Sequence, residues 1–238
     1  MIKITPAILP QTYRGIEMAV EKVVGGISTV QVDFVDGHFA PNRTWLFNNK
    51  DEETIEGIIH EDFGMPFWTE LNYELDLMVK DPMKYMDTFI ALGPSKIIFH
   101  LEGLDTAKTV EFFETLPEII KSVISFSIAI GINTDPALIE PYIPYIESVQ
   151  CMGIDNVGYQ GQKFDDKVFS QVKKVHALYP EKNIAVDGGV SLENAQQLVE
   201  AGATELVIGS ALFQNTDPRG TIEAFKKVCN QANTQLAS

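Results

Sequence analysis

Val30-Gln31-Val32-Asp33-Phe34-Val35-Asp36-Gly37-His38 is a β-branched and aromatic run that closes on an acid, a glycine and polar residues. Far along the chain, Ile184-Ala185-Val186-Asp187-Gly188-Gly189-Val190 closes in the same way. A buried parallel strand that gives way to a polar, glycine-containing loop ends at the C-terminal mouth of an alternating strand–helix barrel, where such folds do their chemistry. Two carboxylates facing each other across that mouth suit a reaction that takes a proton from one face of a carbon and returns one to the other.

Outward from these two runs, short β-branched segments alternate with amphipathic stretches. The strands expected are Lys3–Ile8, Thr29–Asp33, Tyr73–Met78, Lys96–His100, Ile124–Ile130, Ser148–Met152, Ile184–Asp187 and Leu206–Ile208. Apolar spacing predicts helices over Tyr13–Val24, Phe164–Leu178 and Leu192–Ala201, the last stopped by Gly202. Asp135-Pro136 and Asp217-Pro218 read as helix starts. Eight strand–helix units imply a parallel sheet closed into a single-domain (β/α)8 barrel, an α/β fold spanning residues 1–238. The 43–71 stretch reads least clearly: a short helix over Asp51–His60 lies between turn-prone segments, and the third strand has no sharp start.

The 238 residues carry 18 lysines and arginines against 33 acids, a formal charge of −15. That argues against a nucleic-acid partner, which would call for a basic face. An anionic substrate would need local backbone donors to overcome the overall field. With neither a signal-peptide pattern nor an apolar run long enough to span a bilayer, the expectation is a cytoplasmic protein without a membrane partner. Cys151 and Cys229 lack C-x-x-C spacing and are expected to be reduced.

Gly188-Gly189 and Gly209-Ser210 follow the seventh and eighth strands and open helical stretches, as phosphate loops of these barrels do. The plainer alternative is that these glycines only make tight turns. The loop Val157-Gly158-Tyr159-Gln160-Gly161-Gln162 follows strand six, where it could lie across a substrate; it and the 43–71 stretch are the lid candidates. In strand three, Glu74, Asp76 and Met78 share one face, and two inward acids favour a polar site there.

The stretch Asp33-Phe34-Val35-Asp36-Gly37-His38-Phe39-Ala40-Pro41-Asn42 closely resembles the Asp-x-Met-Asp-Gly-His-Phe-Val-Pro-Asn signature of ribulose-phosphate 3-epimerases. The resemblance continues, in the family's order, through Leu77-Met78-Val79, Phe99-His100-Leu101-Glu102, Gly158 to Phe164, Val186 to Val190 and Gly209 to Phe213. It implies a metal-assisted proton shuttle at C3 of a phosphorylated ketose of pentose phosphate metabolism, with an enediolate between the two proton transfers. By motif, Asp33 and Asp187 are the acid/base pair. The same resemblance places Gly158, Gly161, Gly188, Gly189, Gly209 and Ser210 at the phosphate, and Ala7, Met78, His100 and Met152 against the substrate. Family members are commonly oligomeric, so a homo-oligomer is expected, with exposed aromatics such as Trp45 offered to an interface.

The chain departs from the family at the metal. The two histidines that share the ion with the aspartates are replaced by Gln31 and Asp76, and the serine of Pro-Ser-x-Leu by Ala7. Val35 stands in place of methionine and Gln160 in place of a glycine. The remaining set is Gln31, Asp33, Asp76 and Asp187. Four oxygen ligands favour Mg²⁺, Mn²⁺ or Ca²⁺ over Zn²⁺. The alternative is that the ion has been lost, leaving a non-catalytic or differently specific sugar-phosphate-binding barrel. Without an ion, three adjacent carboxylates should raise at least one pKa. The related decarboxylases carry a lysine where this chain has Asp76, which argues against their chemistry. His38 is expected to pack or hydrogen-bond within its turn, and His60 and His176 to be surface or packing residues. Trp45, Trp68, Phe112 and Phe113 read as core or interface.

Overall fold

The computed structural model describes residues 2–236. Eight parallel strands close into a barrel in sequence order: β1 (Lys3–Ile8), β2 (Thr29–Val35), β3 (Asn72–Met78), β4 (Lys96–His100), β5 (Ser125–Ile130), β6 (Ser148–Met152), β7 (Asn183–Asp187) and β8 (Glu205–Ile208). Strand β1 pairs with both β2 and β8, so the sheet has no edge. The helices are α1 (Tyr13–Val20), α2 (Glu52–Ile59), α3 (Met86–Ala91), α4 (Thr106–Thr115), α5 (Glu118–Val123), α6 (Lys167–Leu178), α7 (Leu192–Ala201), α8 (Ser210–Phe213) and α9 (Pro218–Leu236). No helix among the described residues is long and apolar enough to cross a membrane.

The departures from expectation have local causes. Helix α1 stops at Val20, where the Lys22 and Val23 amides bond three residues back instead of four, and Gly25 then turns at φ +84°. Helix α6 starts at Lys167 instead of Phe164, because the Asp165 amide is already held by the Gly153 carbonyl at 2.9 Å. Asp135 does cap the next segment, but Pro136–Tyr145 forms a 3-10 helix. Pro141 and Pro144 inside it remove donors and forbid α-helical continuation.

The main core lies between the strands and the outer helices. Trp45, expected at an exposed interface, is wholly buried in it, packed against Tyr13 and Phe34; the exposed tryptophan is Trp68, at 65%. Thr44 hooks the 43–71 stretch to the barrel: its hydroxyl accepts from the Val35 amide and donates to the Asp33 carbonyl. His60 and His176 are exposed on the outer surface.

The barrel interior is layered. At its N-terminal end, Lys3 and Lys96 pair with Glu74 and Glu205, and Thr5 donates to Glu205. Glu74 therefore belongs to a buried ion-pair plug and not to the site, although it shares a strand face with Asp76. One pleat period, roughly 7 Å along the strand, separates them.

Candidate active site

The register of β2 on β3 sets Asp33 directly beside Asp76. Barrel closure brings Asp187, at the end of β7, to the same place, and oxygen atoms of the three carboxylates lie within 4.8 Å of one another. Like charges at this range repel. The chain offsets the repulsion with donors from three further interior positions. Gln31 Nε2 donates to Asp33 Oδ1 and to Asp187 Oδ2, both at 2.9 Å, and lies 3.4 Å from Asp76 Oδ2. Gln150 Nε2, on β6, donates to Asp76 Oδ2 at 3.0 Å and reaches Asp187 Oδ2 at 3.4 Å. His100 Nε2 donates to Asp76 Oδ1 at 2.7 Å.

The titration behaviour follows from this geometry. Burial, then the charges of Asp187 and Asp76, hold the Asp33 carboxyl well above the usual carboxylate range, against the Gln31 hydrogen bond. Burial and the charge of Asp76 push Asp187 up to about 7, with Gln31, His100 and the Gly188 amide opposing. Burial alone would lower His100, but the charge of Asp76 and its hydrogen bond outweigh it, and the imidazole is raised. The site thus holds carboxyl groups that are protonated over a range where an ordinary aspartate is ionised.

The four residues expected at a metal converge, with Gln31 at the centre. Their chemistry fits a hard divalent cation: three carboxylate oxygens are close enough to meet one ion at a radius of about 2.4 Å. The Gln31 Oε1 atom is buried without a hydrogen-bond partner, so rotating that amide would offer a fourth oxygen. His100 stands behind Asp76, bonded to Oδ1, while Oδ2 faces the centre. The described set contains no imidazole or thiolate aimed at the centre, and zinc is correspondingly disfavoured.

Ala7, Met78, Met152, Asp33 and Asp187 line a cavity of about 40 Å³ together with Gly158, Gly161, Gly188, Gly189, Gly209 and Ser210. All six expected phosphate residues are therefore gathered at one end of the mouth. Gly189 (φ +66°) lies so close to the Phe164 backbone that a Cβ would sit 2.9 Å from its Cα, so any side chain there would be strained. The helices these loops open do begin close by: α7 spans Leu192–Ala201 as expected, starting three residues after Gly189 with Ser191 as its cap, while α8 is a single turn of four residues. Backbone donors, more than a helix dipole, are what these loops offer an anion.

His100 lines a second, larger cavity of about 730 Å³ on the β3–β6 side of the mouth. Its imidazole is buried and stacks obliquely against Phe39, 5.2 Å between ring centroids. It is absent from the lining of the small cavity, and its polar contact is Asp76. His38 hydrogen-bonds within its turn, as expected, through its backbone amide. Asp36 makes the turn by accepting the His38 and Phe39 amides, and the exposed imidazole lines the larger cavity. No residue of the 43–71 stretch lines either cavity, whereas the 157–162 loop borders both. Gln150 was not foreseen. Its signal was available, since Ser148, Gln150 and Met152 alternate inward on β6.

Comparison with known proteins agrees with this architecture. The chain is 29% identical to the ribulose-phosphate 3-epimerase of Bacillus subtilis over 95% of its length and 99% of that protein's. It is 26% identical to the cytoplasmic isoform of Oryza sativa, covering 94% and 93%. Among solved structures, KGPDC from Streptococcus mutans superposes with a TM-score of 0.72, covering 97% and 98% at 10% identity. The 3-hexulose-6-phosphate synthase of Salmonella typhimurium gives 0.67 at 18% identity, over 97% and 100%. At these identities both share the fold alone. Residues 3–213 match the ribulose-phosphate 3 epimerase family, carbohydrate isomerases to which this chain belongs.

Proposed function

We propose that the protein is a sugar-phosphate epimerase that inverts C3 of a phosphorylated ketose. The observation that carries this reading is the pair of carboxyls, buried Asp33 and partly buried Asp187, joined through one amide beside a glycine-lined cavity. An inversion needs one ionised carboxylate to take the C3 proton and one protonated carboxyl to give a proton to the other face. Burial and mutual repulsion raise the proton affinity of both groups, which favours keeping one of the pair protonated while the other is ionised. Ala7, Met78 and Met152 would flank the carbon chain, and the Gly188-Gly189 and Gly209-Ser210 loops would hold the phosphate. His100 would act through Asp76 as a positioning residue, in place of the direct substrate contact the family pattern suggests.

A divalent cation, Mg²⁺, Mn²⁺ or Ca²⁺ by its ligand chemistry, would be held by Asp33, Asp76, Asp187 and Gln31 and would supply positive charge against the enediolate oxygens. One observation favours a second reading, a sugar-phosphate-binding barrel without the ion. Gln31, Gln150 and His100 already give every carboxylate a donor, so the cluster holds together by itself.

The test is proton exchange in D₂O with a panel of ketose phosphates, with and without Mn²⁺, Mg²⁺ and Zn²⁺. Deuterium is expected at C3, with losses on the order of 10²- to 10⁴-fold in Asp33→Asn and Asp187→Asn. Sugar-phosphate binding without exchange under any condition would establish the second reading.

A further inference from the structure

We propose that Gln160 is a substrate-contact residue whose carboxamide binds the phosphate end of the ligand, an inference that rests on reading the glycine loops as the phosphate site. Three observations converge on this side chain. First, Gln160 lies flat on Gly209: a Cβ built on that glycine would stand 2.9 Å from Gln160 Nε2 and 3.4 Å from its Cδ. Second, Nε2 donates to the Ala7 carbonyl at 3.1 Å, which carries the strand-six loop across the mouth to β1. Third, the cavity under it measures about 40 Å³, room for a few waters and far below the roughly 300–1,000 Å³ of pockets that enclose small ligands.

A phosphate seated against Gly209 would therefore meet the Gln160 amide. The side chain has somewhere to go. Gly158 (φ +85°) and Gly161 (φ +74°) bracket the Tyr159-Gln160 pair in the left-handed region, and beyond its chain neighbours a Cβ at Gly161 would find no atom closer than Gln214 Nε2 at 4.0 Å. The other end of the loop stays put, because Asn42 Nδ2 donates to the Gly158 carbonyl at 2.9 Å and Gly158 packs on Ala40. Ligand entry would swing the outer half of the loop about Gly161 and exchange an amide–carbonyl bond for an amide–phosphate bond. Hydrogen bonds to an ionised acceptor are roughly twice as strong as neutral ones, so the exchange is favourable. Ala7 offers no side-chain hydroxyl to the same space, and the glutamine supplies the polar group there.

The experiment is isothermal titration of the full-length wild type, Gln160→Met and Gln160→Glu with inorganic phosphate, with the ketose phosphate panel and with the unphosphorylated ketoses. Gln160→Met keeps the size and loses the donor. Phosphate and ketose-phosphate affinity is expected to fall on the order of tenfold or more, with a larger fall in Gln160→Glu, which sets a carboxylate against the anion. Binding of the unphosphorylated ketoses should not change. Equal affinity in all three proteins would overturn the inference and leave the phosphate-loop reading standing. Equal losses in Met and Glu would also overturn it, since both lose the Ala7 tether alike and only a tether would then be at work. A wild type that binds neither phosphate nor any ketose phosphate would refute the phosphate-loop reading and this inference with it.

Discussion

Replacing Asp187 by asparagine should stabilise the ion-free protein at alkaline pH. Asp187 titrates at about 7 against an ordinary value of 3.8, because it is buried beside Asp76. A carboxyl whose folded pKa is raised contributes stability that is complete below its unfolded pKa and is lost as pH rises through the folded value. At 1.36 kcal/mol per pKa unit, the loss between about pH 4 and pH 8 is on the order of 4 kcal/mol. Asparagine cannot ionise, so the variant escapes this loss. Relieving Asp33 of a neighbouring charge adds in the same direction. His100 also favours its protonated state in the fold and destabilises with rising pH, but it does so in both proteins. Thermal melts in EDTA from pH 4.5 to 8.5 should give midpoints within a few degrees of each other at the acid end, where about 1 kcal/mol of the loss has set in. At the alkaline end the variant should melt about 8–16 °C higher, taking roughly 2–4 °C per kcal/mol for a chain of this size. Added Mn²⁺ should narrow the gap by binding the wild type alone. A difference that stays within about 1 kcal/mol across the range would mean that the carboxylate is not held against its neighbours' charge.

Three other perturbations probe separate parts of the molecule. Gln31→His combined with Asp76→His should tighten Zn²⁺ binding by roughly tenfold or more, because imidazole suits zinc and amide oxygen does not; unchanged affinity in a competition titration would place the ligands elsewhere. Gly189→Ala forces a Cβ to within 2.9 Å of Phe164 at φ +66° and should cost about 1–3 kcal/mol while weakening phosphate binding. A wild-type melting curve for that variant would show that the loop relaxes freely. Lys96→Met leaves Glu74 and Glu205 buried with one cation fewer, and about 3–5 kcal/mol should be lost in urea unfolding. Turnover per folded molecule should hold, and a parallel fall in turnover would tie the ion-pair plug to the site.

The strands were legible because buried parallel strands are short, β-branched and bounded by glycine or polar residues, and the structure moves their ends by no more than two residues. Helix ends were harder. The Val20–Val24 and Phe164–Asp166 segments have helical spacing, yet Gly25 and the Asp165–Gly153 bond decide where the backbone leaves the helix. Trp45 could be placed only after folding, because nothing in a polar, turn-prone stretch says that Thr44 will tie it to β2.

Within the site, period-2 alternation puts Glu74 and Asp76 on one face but says nothing of depth, so one joins the ion-pair plug and the other the carboxylate cluster. His100 was placed at the mouth, yet its contact with Asp76 in place of the small cavity depends on the packing of Phe39. The sequence by itself determined the barrel, the aspartates at two strand ends and the glycine loops beside them, because each is written in a local pattern of a few residues. Only the tertiary structure decided that Gln31, Gln150 and His100 donate hydrogen bonds to the cluster and that Gln160 covers Gly209. Those contacts join strands and loops up to about 150 residues apart, and closing β1 onto β8 is what brings them within hydrogen-bonding range.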